Sequence, residues 1–209
     1  MKNYWFTGDP HFGHSKILTL CNRPFNTIEE HDNSIISNHN SVVLNEDTVF
    51  NFGDIGYRCS PFYVVEKIRQ LNGKLIVILG NHDKVLRQAL QMGLLEKELR
   101  DGKIEILGGK CAIEDHTLAI SKMLDFNGQK IFIGHYGHRT WPSAFRGTIH
   151  LFAHSHSNLP PLYKSFDIGV DTHSETHKRF YPYSLQEIFN IAAKITDEFS
   201  EKNEDNHNR

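Results

Sequence analysis

At 209 residues, 39% of them hydrophobic and 23% charged, the chain reads as an ordinary globular protein with enough mass for one full core, and one domain over residues 1–199 is expected. A formal net charge of −2, with Lys and Arg dispersed rather than striped, excludes a basic field that would draw nucleic acid by itself, although bound cations can invert a local field and admit an anionic substrate. Cys21, Cys59 and Cys111 are odd in number and lack a Cys-x-x-Cys pair, and neither a basic-then-apolar leader nor a membrane-length apolar run is present, so reduced buried thiols in a soluble cytoplasmic protein are expected, with no membrane partner.

In chain order, the first strand is expected at Tyr4-Trp5-Phe6-Thr7, followed by a short helix over 15–21. Thr27-Ile28-Glu29-Glu30 has the form of a capping box opening a helix to about residue 43, whose sparse apolar positions suggest a surface location. Thr48-Val49-Phe50 is the next strand. Pro61 suits the first turn of a helix through Leu71, with Val64, Val65, Ile68 and Leu71 at helical spacing and Asn72-Gly73 turning the chain. A strand at Leu75-Ile76-Val77-Ile78-Leu79 leads to a helix from Asp83 to Met92, stopped by Gly93. Between residues 94 and 121 the pattern shortens to Glu105-Ile106-Leu107 and Thr117-Leu118-Ala119-Ile120, which predicts a second, antiparallel sheet. Strands at Ile131-Phe132-Ile133 and Ile149-His150-Leu151-Phe152 follow. Ser184-Leu185-Gln186-Glu187 is another capping box, opening a helix with Leu185, Ile188, Phe189, Ala192 and Ile195 on one face. Residues 200–209 are polar and charged and are expected to be disordered.

Five short blocks of metal-binding side chains each end one of these apolar runs: Asp9-Pro10-His11, Gly53-Asp54, Gly80-Asn81-His82-Asp83, Gly134-His135 and His154-Ser155-His156. Ligands in open α/β sheets collect where strand carboxyl ends meet loops, so five strand tips would converge on one place. The set supplies imidazole, carboxylate and amide oxygen without thiolate, a mixture suited to two divalent cations (Mn, Fe or Zn) rather than to a structural zinc. Asp54, freed by Gly53 and Gly56 for close backbone approach, is the best bridging carboxylate. Two cations roughly 4 Å apart would hold a hydroxide for attack on a phosphate ester.

The order Asp-x-His, Gly-Asp, Gly-Asn-His-Asp, Gly-His and His-x-His, with Gly169-Val170-Asp171 after it, resembles the calcineurin-like metallophosphoesterase superfamily. Thr7-Gly8-Asp9-Pro10-His11-Phe12-Gly13-His14 and Arg23-Pro24-Phe25 are similar to its small bacterial and phage-type phosphoesterases. The resemblance implies a four-layer α/β/β/α sandwich with two mixed β-sheets flanked by helices. It also implies one metal held by Asp9, His11, Asp54 and His156, a second held by Asp54, Asn81, His135 and His154, and His82 as the acid that protonates the leaving oxygen. Ala153 stands where the pattern commonly has glycine, so a tighter loop must accept a methyl group there.

Other residues carry alternatives. His14 could face the phosphate or cap the following helix; Arg23 could bind phosphate or pair with a surface carboxylate; Arg139, close after His135, could contact substrate. Asp83 or another carboxylate could orient His82. Trp141 is read as core or pocket wall, His138, His173 and His177 as loop residues near the opening, and Lys178-Arg179 as a solvated turn. The expected function is a phosphodiesterase or phosphatase acting on small nucleotide-like phosphate esters. A nuclease of the same superfamily, which would need a basic track, and a non-catalytic binding module of the same fold are the competing readings.

Overall fold

The computed structural model describes residues 2–172 and 180–195; His173, His177, Lys178, Arg179 and the polar tail lie outside the described residues. The first sheet is built from β1 (Tyr4–Thr7), β2 (Thr48–Asn51), β3 (Lys74–Val77) and β4 (Ile104–Ile106), with β9 (Tyr183–Ser184) on its far edge, in the order β4-β3-β2-β1-β9. β1 to β4 run parallel and β9 antiparallel. Parallel neighbours need crossovers, and these are supplied by α1 (Ile17–Leu20) with α2 (Ile28–Val42), by α3 (Pro61–Gln70), and by α4 (Lys84–Gln91) with α5 (Glu96–Arg100). The second sheet joins β5 (Ser121–Phe126), β6 (Gln129–Gly134), β7 (Ile149–Phe152) and β8 (Ser165–Asp167) in chain order; β5 and β6 form a hairpin and the remaining pairs are parallel. Two mixed sheets flanked by helices are thus present.

Side-chain alternation along the strands divides the interior in two. Val49, Leu75, Val77, Ile104 and Ile106 face Ile35 and Ile36 of α2, Val64, Val65 and Ile68 of α3, and Val85, Leu86 and Ala89 of α4. Phe6 and Phe50 face the other way, their rings stacked 5.3 Å apart, into a core shared with Ile131, Ile133, Ile149, Leu151 and Phe166 of the second sheet. The final helix, α7 (Leu185–Lys194), adds Ile188 and Ala192 to that inter-sheet core. Trp141 covers the outer face of the second sheet, stacking on His150 at 5.2 Å while its indole donates to the Thr148 carbonyl.

Four expectations need correction. The segment from 94 to 121 is not an antiparallel sheet: it holds α5, β4 and α6 (Gly109–Glu114), and β4 extends the first sheet in parallel beside β3. The second sheet begins later, at Ser121, where β5 turns into β6 through Asn127 and Gly128, both at positive φ. α2 is more than a surface helix, since His31, Asp32 and His39 are buried beside Ile35 and Ile36. Its N-terminus is half a capping box: Thr27 accepts the Glu30 N–H, but the Glu30 carboxylate reaches Asn26 N–H instead of Thr27. The cysteines are free, yet none is fully buried and Cys111 is exposed, because α6 turns Ala112 inward instead. No helix among the described residues is long and apolar enough to cross a membrane.

Candidate metal centre

The parallel strands continue their hydrogen bonding past their own ends, and this places the site. Phe52 N–H donates to Thr7 O, Asp9 N–H to Gly53 O, and His11 N–H to Asp54 O, all within 3.0 Å, so the loops after β1 and β2 stay in register. Ala153 N–H donates to His135 O, which continues the β6–β7 register, and Val170 N–H donates to Gly8 O, which ties the second sheet to the first, each at 3.0 Å. Gly80 lets the loops after β2 and β3 meet: a Cβ there would lie 2.2 Å from Asp54 Oδ1 and 2.7 Å from His135 Cε1. The Ala153 methyl is accommodated in the same way, packed against Gly8, where a Cβ would come within 2.7 Å of it.

Five site residues take left-handed backbone conformations: Asp9, His11, Asp54, His154 and His156, with φ between 47° and 67°. For residues with a Cβ this costs on the order of 1–3 kcal/mol each, a strain that persists only where the surroundings over-determine it. Here it turns side chains of three loops, those after β1, β2 and β7, toward one point.

At that point sits Asp54. Its Oδ2 lies 3.6 Å from Nε2 of His11 on one side and 3.6 Å from Nε2 of His135 on the other, while Oδ1 accepts the His82 N–H at 2.7 Å. Two clusters share it: Asp9, His11 and Asp54, and Asp54, His135 and His154. Asn81 joins the second through Oδ1, 2.9 Å from His135 Nε2, and the His156 ring centre is 5.1 Å from that of His11 in the first. Asp9, His11, Asp54, Asn81, His135 and His154 are therefore brought together, and His156 stands beside His11 with its own close group in Cys21 and Asp171. Asp9 Oδ1, both ring nitrogens of His11 and Asp54 Oδ2 are buried without a hydrogen-bond partner. Native interiors leave few such atoms unpaired, and one from each of these three side chains meeting at one point suits the donor set of a divalent cation.

The electrostatics agree with that fit. Burial, reinforced by the charges of Asp54, Asp167 and Asp171, raises the Asp9 carboxyl well above the usual range, and burial raises Asp54 as well. A cation between them would keep both ionised. Burial lowers His11, His135 and His154, favouring the neutral imidazole that has a lone pair to give. His135 donates Nδ1–H to the Phe52 carbonyl at 2.6 Å, which leaves Nε2 bare and aimed inward. His156 goes the other way: burial alone would lower it, but its hydrogen bond to Asp171 and the nearby Asp9 push it up to about 10.

Two expected roles are corrected. Arg23 meets neither phosphate nor a surface carboxylate; it is 4% exposed, and its donors are taken by Asp171, His31 and the carbonyls of Asp9 and Pro10. Asp83 does not orient His82, because its oxygens accept backbone N–H groups of Asp54, Ile55 and Gly80 and so clamp the β2 and β3 loops together. His14 is buried next to the site, its ring 5.4 Å from His11, and burial with nearby His82 and Arg58 lowers it to about 4; the residue before α1 is Lys16, so His14 is not its cap. Arg139 stands exposed on the loop after His135.

From the sequence, pocket walls are expected within residues 12–25, 57–62 and 136–146, and the structure singles out two aromatic side chains inside those spans. Tyr57 packs against His82 at 4.5 Å and His14 at 4.7 Å, with the Arg58 guanidinium over its outer ring, and Tyr136 packs against His154 at 4.7 Å and His135 at 4.9 Å. Their position directly after Gly56 and His135 was the available signal.

Comparison with known proteins places this geometry in context. An uncharacterised protein of Methanocaldococcus jannaschii is 27% identical over 202 residues, covering 93% of each chain. The gene 66 protein of Mycobacterium phage L5 is 38% identical over 85 residues, 40% of this chain and 41% of that one. Among solved structures, a protein of unknown function from Aquifex aeolicus shares the fold with a TM-score of 0.61 at 20% identity, covering 91% of this chain and all of the other. The family model for calcineurin-like phosphoesterases matches residues 2–193, and the chain belongs to that family.

Proposed function

We propose that the chain is a metal-dependent phosphoesterase that hydrolyses small phosphodiesters or phosphomonoesters of nucleotide-like compounds. The observation that carries this reading is the Asp54 carboxylate, equidistant from His11 and His135 at the meeting of two donor clusters. Asp9, His11, Asp54 and His156 would hold one divalent cation, and Asp54, Asn81, His135 and His154 the other. Such a pair, Mn, Fe or Zn, supplies Lewis-acid polarisation of the phosphoryl group and acidifies the attacking water.

The remaining chemistry falls to side chains around it. His82 is half-buried, its backbone fixed by Asp54 Oδ1 and its ring against Tyr57, and it gives a proton to the leaving oxygen. His14, Arg58 and Arg139 offer donors to the phosphate. Tyr57, beside His14 and His82, and Tyr136, beside His135 and His154, offer aromatic surface that suits a flat leaving group such as a nucleoside or an aryl alcohol.

The test is turnover of paired aryl and nucleoside mono- and diesters by Mn-loaded protein, with metal content measured in parallel. Asp54→Ala should lose metal and activity together. His82→Ala should keep its metal but turn over ~10²–10⁴-fold more slowly, with the larger deficit on the nucleoside ester, whose leaving oxygen most needs a proton. Full turnover by metal-free protein, or an unimpaired His82→Ala enzyme, would overturn the assignment.

A further inference from the structure

We infer that Arg23 is the positioning residue for one half of the centre, holding Asp9, His11 and His156 in place while leaving the other half to separate anchors. The inference rests on the reading of the site as a metal centre. The guanidinium is planar and carries five N–H donors in a fixed fork, and all five meet acceptors. Nε donates to Asp171 Oδ1 at 2.9 Å and Nη2 to Asp171 Oδ2 at 2.6 Å, a two-pronged pair. The other Nη2 hydrogen goes to the Asp9 carbonyl at 2.8 Å, and Nη1 donates to the Pro10 carbonyl at 2.9 Å and to His31 Nε2 at 2.7 Å.

Each of these bonds bears on a ligand. Asp9 and His11 sit at φ 56° and 54° on either side of Pro10, so their side-chain directions depend on the orientation of the two intervening peptide groups. Arg23 fixes both carbonyls from one rigid plane. On its other edge it holds Asp171, whose Oδ2 also accepts the His156 Nδ1–H at 2.7 Å, setting that ring so that Nε2 is the atom left for coordination. One side chain thus couples the loop after β1 to Asp171 beyond β8, 148 positions from Arg23, and through Asp171 to His156 in the loop after β7.

Arg23 is itself held from behind. Arginine can only donate, so His31 Nε2 is an acceptor and its Nδ1–H points to Asp32 Oδ1 at 2.6 Å; Asp32 Oδ2 takes the Gly13 N–H and the Tyr63 hydroxyl. The opposite half has supports of its own: His135 is oriented by the Phe52 carbonyl and the loop of Asn81 by Asp83, although the His154 N–H donates to Asp9 Oδ2. Loss of Arg23 should therefore weaken one cation and spare the other, which a purely stabilising ion pair would not do.

The test counts manganese bound to Arg23→Lys and Asp171→Asn by calorimetry and elemental analysis, and records the electron paramagnetic resonance of the loaded proteins. Wild type should bind about two Mn per chain with a spin-coupled signal. Both variants should keep one site at wild-type affinity, weaken the other about 10–100-fold, and show the signal of isolated Mn at one equivalent. In Arg23→Ala, added guanidinium ion should restore the second equivalent. Leu86→Ala, a core change remote from Arg23, controls for lost stability and should retain both. Should Arg23→Lys fail to fold, Asp171→Asn carries the same comparison. Two equivalents at wild-type affinity in the variants, or equal weakening of both sites in step with the Leu86→Ala control, overturns the inference. A wild type that binds no metal overturns the reading of the centre, and this inference with it.

Discussion

His39, on the buried face of α2, donates Nε2–H to the Asn72 carbonyl at 3.0 Å and has its pKa lowered to about 4, chiefly by burial. The unfolded chain binds a proton near pH 6.5 that the folded chain refuses until about pH 4, so this residue withdraws stability as the solution is acidified through that window. The amount is on the order of 3 kcal/mol over the whole interval. Replacing His39 by Gln, which can keep the donor, should flatten that part of the profile; thermal midpoints of the two proteins across pH 7 to 4 measure it, and parallel curves would refute it. At this scale the sequence was legible where chemistry was local. The convergence of the donor blocks could be read because each sets one or more donor side chains just past a strand tip. Arg23 could not, since its partner Asp171 lies in the second half of the chain and nothing near Arg23 hints at a buried carboxylate. Asp83 misled for the opposite reason: its neighbour is His82, but its acceptors face backbone groups on a loop nearly thirty residues earlier.

Among the elements, α7 is the clearest case of a signal read in full. Ser184 accepts the Glu187 N–H and the Glu187 carboxylate returns to the Ser184 N–H, so both halves of the box are made. Ser184→Ala should cost about 1 kcal/mol, readable as a shift in denaturant midpoint with unchanged slope. A cost near zero would mean that packing of Ile188 and Ala192 holds the helix without its cap. The hairpin of β5 and β6 was missed although Asn127-Gly128 is a strong two-residue turn signal. β5, Ser-Lys-Met-Leu-Asp-Phe, has no fully buried position and so no clean alternation to read. The pieces between 94 and 121 failed differently. Glu105-Ile106-Leu107 does read as strand, but whether a strand joins one sheet or another is decided by crossover geometry, which three residues do not encode.

For the whole molecule, the two-sheet sandwich was what the family resemblance implied, since the segment read as a second sheet belongs elsewhere, whereas the convergence of the strand tips followed from apolar runs that each end in donor residues. The site adds to the inter-sheet core in binding the halves, because Asp9 Oδ2 accepts the His154 N–H and Val170 N–H reaches Gly8. A cation that binds only the folded chain stabilises it by about 2.7 kcal/mol at a hundred times its dissociation constant, worth roughly 5–10 °C per site in a chain of this size. Addition of a chelator should lower the melting temperature by that order in wild type and much less in Asp54→Ala. Equal melting of loaded and stripped wild type would show that the donors were already satisfied by one another.

The contact between Val170 and Gly8 carries one more consequence, for biogenesis. Ribosomes deliver the amino end first, so Asp9, His11 and Asp54 emerge long before His154, His156 and Asp171 exist to complete their surroundings. A nascent chain can pair β1 to β4 and still lack a finished cage, which would make metal acquisition a late event and holo-protein a marker that synthesis has run at least to Asp171.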